Sequence, residues 1–377
     1  MDIYQEALET HKKLKGKIQI GLRAIPDSRK KLSLFYTPGV GGVARYTSLH
    51  PKQMRDYTWT NNLVAVISDG SSVLGLGNIG PYGAMPVMEG KAVLFKEFAG
   101  IDAVPIVLAT QDVDEIVAVV KAIAPTFGGI NLEDISAPRC FEVEARLRKE
   151  LDIPVFHDDQ HGTAMVVVAA LINALKVVGK KINQVKIVIN GAGAAGNATA
   201  FLLLAAGATN IVTLDTKGII YKGRDQLPGY KIRLAAATNP KRITGDLSEA
   251  VKKADVFIGL SKPGVLTTAM IKAMAKNPVV FAMANPVPEI MPEEARKAGA
   301  SVIATGRSDF SNQINNVLIF PGFFRGLLDS GNNQITEKMQ LAAARALASL
   351  TPKPTKNKIL PAVFDKRVAK TVAAALK

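Results

Sequence analysis

The chain has 377 residues, about twice the usual size of a single domain, so two domains are expected. Hydrophobic residues make up 48% and charged residues 21%, a globular balance that excludes wholesale disorder. The formal net charge of +15 is scattered, without an aromatic-basic cluster or a nucleic-acid motif. It indicates a solvated basic surface or attraction of anionic small molecules, and no nucleic-acid partner.

The elements predicted from hydrophobic periodicity alternate between strands and helices. In the first half they are a helical region at 1–60 with a loop at 36–42, a strand at 63–68, a glycine-rich stretch at 75–90, a strand at 106–108, a helix at 113–124, a helical segment at 138–151 and a strand at 153–156. In the second half they are a helix at 163–178, strands at 185–190, 211–214, 256–259, 279–283 and 302–304 with helical segments between several of them, and two helices after 334. This alternation predicts an α/β fold with parallel sheets covered on both faces.

The cysteine content and the hydropathy of the chain indicate its cellular compartment. Cys140 is the only cysteine, which excludes an intramolecular disulfide and fits a reducing environment. The first twenty residues mix charged and apolar positions, as in an amphipathic helix rather than a signal peptide. The longest apolar run, 164–175, contains Asn173 and is too short to cross a bilayer. We expect a cytoplasmic protein with no membrane partner.

A glycine motif of the dinucleotide-binding type follows the predicted strand at 185–190. It has the form G-x-G-x-x-G and consists of Gly191, Ala192, Gly193, Ala194, Ala195 and Gly196. A helix follows it, whose free N–H groups would face a pyrophosphate. Asp215, at the end of the next strand, is the expected ribose-binding carboxylate. A carboxylate there favours NAD because it repels a 2′-phosphate, although Lys217 could offset that repulsion and keeps NADP open.

Two pairs of adjacent acids flank the predicted helix at 138–151. Glu133-Asp134 and Asp158-Asp159 would repel each other if they converged, by about 4 kcal/mol for charges about 4 Å apart at an effective dielectric near 20. A divalent cation would remove that cost, and oxygen ligands favour Mg²⁺ or Mn²⁺ over zinc. The sequence therefore predicts a metal site at these acids.

These segments occur in an order that resembles the malic enzyme family. The stretches that carry the resemblance are 33–40, 68–70, 74–80, 86–91, 131–134, 156–163, the glycine motif, 284–286, 315–316 and 320–322. They cover roughly residues 33 to 329, and the acidic loop before Gly162 is far more specific than the glycine motif. The length is similar to that of the compact prokaryotic-type enzymes.

The resemblance implies the following reaction and roles. Malate would be oxidised and decarboxylated to pyruvate with NAD or NADP and Mg²⁺ or Mn²⁺, with oxaloacetate decarboxylation as an added activity. The implied roles are Tyr36 as general acid, Lys91 as general base, Asp158 as the carboxylate supporting the lysine, Glu133, Asp134 and Asp159 as metal ligands, and Asn285 and Asn315 as malate-binding residues. Asn316 is easily confused with Asn315. As a base, Lys91 requires a lowered pKa.

The domain interpretation follows from these roles. Residues 1–160 are expected to form an N-terminal catalytic and metal-binding α/β domain, and 161–340 a Rossmann-like, doubly wound NAD(P)-binding domain. Residues 341–377 would be C-terminal helices that pack back on the first domain. The active site would lie in the cleft between the domains. The resemblance also implies a homodimer. The alternatives are another two-domain dehydrogenase, acting on amino acids or folate, and a non-catalytic NAD(P)-binding sensor.

Overall fold

The structure, a computed structural model, describes residues 3–377. Its first sheet has four parallel strands in the order β2-β1-β3-β4. The strands are β1 (Leu63–Ser68), β2 (Asp102–Val107), β3 (Gly129–Leu132) and β4 (Val155–His157). The strand predicted at 63–68 is confirmed and every residue in it is buried. The strand predicted at 106–108 is longer and begins at Asp102, while β3, which is flanked by glycine, was not predicted.

Seven helices accompany this sheet. They are α1 (Ile3–Leu14), α2 (Arg29–Phe35), α3 (Gly39–Leu49), α4 (Met54–Tyr57), α5 (Gly80–Ala99), α6 (Val113–Ile123) and α7 (Arg139–Glu150). The loop predicted at 36–42 is shorter, because α3 already begins at Gly39. The glycine-rich stretch contains the start of α5, where Pro81 occupies a first-turn position that tolerates the missing N–H. Helix α5 ends at Gly100, which adopts φ +64°.

The N-terminal segment, residues 3–59, has no buried residue, and the first buried side chain is Thr60. Its helices nevertheless carry many apolar side chains. Those with large exposed areas include Ile20, Leu22, Leu32, Leu34, Phe35 and Leu49. Short helices gain most of their stability from packing an apolar face, so this surface is one that another body would cover.

Helix α8 (Asp158–Val178) connects the two halves of the chain through the centre of the protein. It begins five residues before the predicted start at 163, so the acidic pair Asp158-Asp159 forms its first turn. The helix has 21 residues and is long and apolar enough to span a membrane, yet it is mostly buried inside the protein. Its side chains belong to a core that also includes residues of both sheets, which explains its composition.

The second sheet has six strands in the order β10-β9-β8-β5-β6-β7, all parallel except the short β7. The strands are β5 (Lys186–Asn190), β6 (Asn210–Asp215), β7 (Gly218–Ile219), β8 (Val256–Gly259), β9 (Val279–Ala282) and β10 (Val302–Thr305). The helices are α9 (Ala194–Ala205), α10 (Gly229–Ala237), α11 (Leu247–Val251), α12 (Thr268–Lys272) and α13 (Pro292–Lys297). The strand order reverses between β5 and β8, the switch point where doubly wound sheets bind ligands. The predicted doubly wound fold is confirmed.

Three helices complete the chain: α14 (Phe320–Ser330), α15 (Glu337–Ser349) and α16 (Arg367–Ala374). Helix α14 packs on α5, with the Phe320 and Phe324 ring centroids 4.8 and 5.2 Å from that of Phe95. Helix α16 contacts both α14 and α5, whereas α15 contacts α8 and α9, so the expected packing of residues 341–377 on the first domain stays a prediction. The boundaries at 160 and 340 stay a prediction.

Candidate active site

The acidic pairs meet because β3 and β4 are adjacent and parallel. Leu132 of β3 is paired with His157 of β4, so the next residues of both strands leave the same edge of the sheet. Glu133-Asp134 and Asp158-Asp159 therefore converge there, as the sequence predicted. Asp134 adopts φ +55°, a conformation that is uncommon for a residue with a side chain and often found at functional sites.

Lys91 lies at the centre of this acidic group. Its Nζ donates to Glu133 Oε1 at 2.8 Å and to Asp158 Oδ2, and it lies 4.0 Å from the centroid of the Phe320 ring. The lysine is 8% exposed and Asp158 is fully buried. Helix α5 thus places the Lys91 ammonium group among carboxylates, next to the ring of Phe320.

The protein groups around Lys91 favour its protonated form. Burial lowers its pKa, but the charges and hydrogen bonds of Asp158 and Glu133 outweigh burial and raise the pKa above its ordinary value. The fall in pKa expected for a general base is therefore not produced by the protein groups alone. Compensation of the carboxylate charge is required before this lysine becomes neutral.

The geometry of three acids fits a divalent cation. Glu133, Asp134 and Asp159 offer oxygens that all lie within 4.8 Å of one another. Among the described residues, Asp134 Oδ2 is buried without a hydrogen-bond partner. Burial and neighbouring carboxylates raise the pKa of Glu133 to about 7 and that of Asp134 to about 9. Such carboxylates resist ionising together unless a cation joins them, and an all-oxygen set suits Mg²⁺ or Mn²⁺.

The two asparagines at 315 and 316 have different neighbours. Asn316 Nδ2 donates to Asp158 Oδ2 at 3.1 Å, and its Oδ1 accepts from Thr163 Oγ1 at 3.2 Å. Asn315 Oδ1 instead accepts from the backbone N–H of Val317 at 3.0 Å and caps a short helical turn. The residue that touches the catalytic cluster is therefore Asn316, whereas the sequence had singled out Asn315.

Asn285 lies on an exposed loop after β9, in a cis peptide with Pro286. The glycine-rich loop of the first half approaches it closely, because a Cβ placed on Gly75 would lie 2.3 Å from the Asn285 carbonyl oxygen. The ring centroids of Phe141 and Tyr230 make another contact between the two halves, at 4.7 Å. Asn285 therefore stands where the two halves of the chain face each other.

Tyr36 is not joined to the cluster by any contact in the described part of the chain. It follows α2 in the uncovered N-terminal segment and is 69% exposed. Its hydroxyl makes no hydrogen bond with residues 3–377. The role that the family resemblance implies for Tyr36 stays a prediction.

Each glycine of the motif has the separate structural role expected of a dinucleotide-binding loop. Gly191 adopts φ +120°, and a Cβ there would lie 2.3 Å from Leu260 O, at the end of β8. A Cβ on Gly196 would lie 1.7 Å from Gly191 O, so this glycine lets α9 pack against the loop. A Cβ on Gly193 would have nothing within 4 Å, which leaves its backbone open to a ligand. Ala192, Ala194 and Ala195 complete the turn into α9.

Asp215 is more strongly paired than the sequence predicted. Its Oδ2 accepts from Lys231 Nζ at 2.7 Å and from Arg224, and its Oδ1 accepts from the Lys217 backbone N–H at 2.9 Å. Burial raises the pKa of Asp215, but the bonds from Arg224 and Lys231 outweigh it and lower the pKa to about 2. Two cations thus stand beside the residue expected to exclude a phosphate.

Several neighbours of these sites were missed from the sequence. Phe320, Asn131 and Arg224 each contact a predicted site residue: Asn131 Nδ2 donates to Glu133 Oε2 at 2.9 Å. Asn131 and Phe320 stand inside family-like stretches, which was the available signal. Arg224 and Lys231 lie in a loop and a helix after β7, and only the fold brings them to Asp215.

Comparisons with known proteins cover nearly the whole chain. Residues 16–148 match the family model described as malic enzyme, N-terminal domain, and residues 160–377 match that described as malic enzyme, NAD binding domain. A bifunctional malic/malolactic enzyme of Bacillus subtilis is 54% identical, with 100% of this chain and 92% of the relative covered. An NADP-dependent malic enzyme of Escherichia coli is 49% identical, with 92% and 46% covered.

A solved structure of an NAD-dependent malic enzyme from Thermotoga maritima superimposes on the chain with a TM-score of 0.96. The two sequences are 52% identical, and 98% of each chain is covered. The similarity therefore extends through both sheets and the C-terminal helices.

Proposed function

The chain belongs to the malic enzyme family, and its reaction is the NAD(P)-dependent oxidative decarboxylation of malate; we propose that this reaction takes place at the cluster around Lys91, with a divalent cation. The observation that carries the assignment of the site is the buried Lys91, held between Asp158 and Glu133 beside three clustered carboxylates. A sensor that only binds NAD(P) has no use for such a group.

Lys91 and Tyr36 carry out two different proton transfers. Lys91 accepts the C2 hydroxyl proton as hydride leaves for the nicotinamide, and Asp158, with Asn316 on its Oδ2, holds the lysine in place. Tyr36 later protonates C3, because its phenolic hydroxyl can donate a proton to the enol carbon. Asn285, from the facing half of the chain, orients malate.

Glu133, Asp134 and Asp159 would hold Mg²⁺ or Mn²⁺. Such a cation supplies Lewis-acid stabilisation of the negative charge that develops as the carboxylate leaves. Asp158 and Glu133 keep Lys91 protonated, so the base would be available only when the charge of these acids is compensated.

The nicotinamide cofactor binds at the Gly191–Gly196 loop, and the chain accepts both NAD and NADP. The sequence favoured NAD because of Asp215, but the positive charges of Arg224 and Lys231 together exceed the negative charge of Asp215. An arginine beside the ribose is a usual partner of a 2′-phosphate. Asp215 Oδ1 has a single donor and can still accept from a ribose hydroxyl.

The protein works as a homodimer in the cytoplasm. The support for a dimer is the N-terminal segment, whose apolar side chains are uncovered over residues 3–59. A second copy on this surface would bury them and would also shield Tyr36 from bulk water. Equilibrium sedimentation of the wild type and of Leu32→Glu tests this: a dimer that the substitution dissociates is expected, and a monomeric wild type would contradict it.

One spectrophotometric experiment tests the function. Purified protein is mixed with malate and with NAD or NADP in parallel, before and after EDTA treatment and Mn²⁺ addition. We expect reduced cofactor and pyruvate in equal amounts, loss of both with EDTA, and recovery with Mn²⁺. Cofactor binding without turnover would favour the sensor, and turnover insensitive to EDTA would favour a metal-independent dehydrogenase.

A further inference from the structure

A layer of buried polar residues reaches Asp159 through the ring of His157. Glu144 of α7, His157 of β4 and Gln160 of α8 are 5%, 0% and 4% exposed. None of them is among the metal ligands or the residues that handle protons. Since burying polar groups is costly unless they are fully hydrogen-bonded, their contacts reveal what the layer does.

The layer begins at Glu144. Its carboxylate accepts from Gln160 Nε2 at 2.9 Å and from the His161 ring at 3.0 Å, and Arg148 lies 4.0 Å away. Burial raises the pKa of Glu144, but its interactions with His161, His157 and Arg148 outweigh burial and lower it. An ionised carboxylate can only accept hydrogen bonds, so Gln160 must turn its NH₂ group toward Glu144.

Gln160 in turn lies between Glu144 and the His157 ring. The same Gln160 Nε2 lies 3.0 Å from His157 Nδ1. On the other side of the ring, His157 Nε2 lies 3.1 Å from Asp159 Oδ2.

The consequence appears at Asp159. Its Oδ2 faces His157 Nε2 and also accepts from the Asp134 backbone N–H at 2.8 Å. With the Asp134 N–H and the His157 ring both on Oδ2, the other oxygen of the carboxylate is the one left for a cation. Glu144, Gln160, His157 and Asp159 thus form a relay of polar contacts that runs from α7 to the acidic cluster.

We propose that Glu144, Gln160 and His157 are positioning residues, which orient the Asp159 carboxylate for a divalent cation by holding the His157 ring against Asp159 Oδ2. The inference rests on the proposed metal site. Partners of this kind behind metal ligands typically change metal affinity by about 10- to 100-fold when they are replaced.

The test measures Mn²⁺ binding directly, from the electron paramagnetic resonance signal of free Mn²⁺ titrated with the full chain. We expect Glu144→Gln, Gln160→Leu and His157→Leu to weaken binding about 10- to 100-fold. His157→Gln should recover part of the affinity, because its amide can again donate to Asp159. Glu144→Gln should cause little further loss in a His157→Leu background, because its effect passes through the ring.

A matched control separates orientation from stability. Asn173, also in α8, is buried and donates to Ala348 O and Ile359 O at 2.9 Å each, far along the helix from the acids. Asn173→Leu should lower the melting temperature but leave Mn²⁺ affinity unchanged. Circular dichroism and cofactor binding check that each variant is folded.

The outcomes distinguish the two proposals. Wild-type affinity in Glu144→Gln and Gln160→Leu, or additive losses in the double variant, would overturn the relay while leaving the metal site intact. Equal Mn²⁺ affinity in the wild type and Asp159→Asn would overturn the metal site itself, and the relay with it.

Discussion

The two sheets place carboxylates at the same kind of position, yet with opposite charge balance. At the ends of β3 and β4, four acids surround Lys91, and burial raises the pKa of Asp134 to about 9. At the end of β6, Asp215 is paired with Arg224 and Lys231, and its pKa is lowered to about 2. In the first group the acids outnumber the basic side chains, whereas at the second site two basic side chains face one acid.

This difference in charge favours a different kind of ligand at each site. A buried cluster of unbalanced acids is stable only with an added cation, and that cation can then act on a substrate. A carboxylate already paired with two cations leaves positive charge over for an anionic ligand. A strand-end acid therefore predicts function only when its neighbours in space are known.

The largest effect is expected at the single cation of the acidic group. Lys91→Ala should reduce malate oxidation by at least 10²–10⁴-fold, because the base that accepts the hydroxyl proton is lost. Small added amines should restore part of the rate. The control is Lys96→Ala on the same helix, whose exposed Nζ pairs with Asp102. Substantial oxidation by folded Lys91→Ala would remove this lysine from the chemistry.

Asp159→Asn replaces a charged ligand by a neutral amide in the same cluster. We expect kcat/KM to fall about 100-fold or more and to depend on much higher Mn²⁺ concentrations, with the fold retained. Asp152→Asn, on the exposed turn before β4, is the control and should match the wild type. If Asp159→Asn keeps its activity and metal affinity, the acidic group is not a metal site.

Tyr36→Phe tests whether the exposed segment takes part in the reaction. Pyruvate formation should slow about 10²-fold, because the phenolic proton is gone while the ring remains. Oxaloacetate bypasses hydride transfer, so its decarboxylation should show the same loss. The matched control is Tyr57→Phe, another exposed tyrosine of this segment. A wild-type rate in folded, metal-loaded Tyr36→Phe would mean that the acid is another group.

The neighbouring asparagines offer an internally controlled comparison. Asn316→Ala removes a donor to Asp158 and should raise the KM for malate or lower kcat about tenfold. Asn315→Ala removes only the cap of a short turn and should cost about 1 kcal/mol of stability, with little effect on kcat/KM. The reverse ranking would restore Asn315 as the residue that faces the substrate.

The smallest effect is expected at Asp215, the carboxylate paired with Arg224 and Lys231. Asp215→Ala should weaken NAD binding severalfold, because a ribose hydroxyl loses its acceptor. NADP should be affected less, since Arg224 and Lys231 become free to pair with the 2′-phosphate. Calorimetric titration with both cofactors measures the change. Equal losses for NAD and NADP would show that Asp215 does not select between them.

Much of the fold follows from local patterns. The strand at 63–68 and the strand, glycine turn and helix around Gly191 were predicted because continuous apolar runs and glycines carry a strong local signal. β3 was missed because its sequence, GINL, contains a glycine and an asparagine and so lacks a continuous apolar run, and α5 because glycines and prolines obscure its beginning. Short elements are determined mainly by their neighbours in the sheet.

The sequence by itself determined the family, the acidic pairs and the dinucleotide turn, because each lies in a contiguous motif with a local physical requirement. Only the tertiary structure decided which charged and polar groups become neighbours. It brought Lys91 from α5 to Asp158, placed Asn316 next to Asp158, and gave Asp215 its two cations. Electrostatic and hydrogen-bonding partners act over a few ångströms in space, and residues that are far apart in the chain become partners only after it has folded.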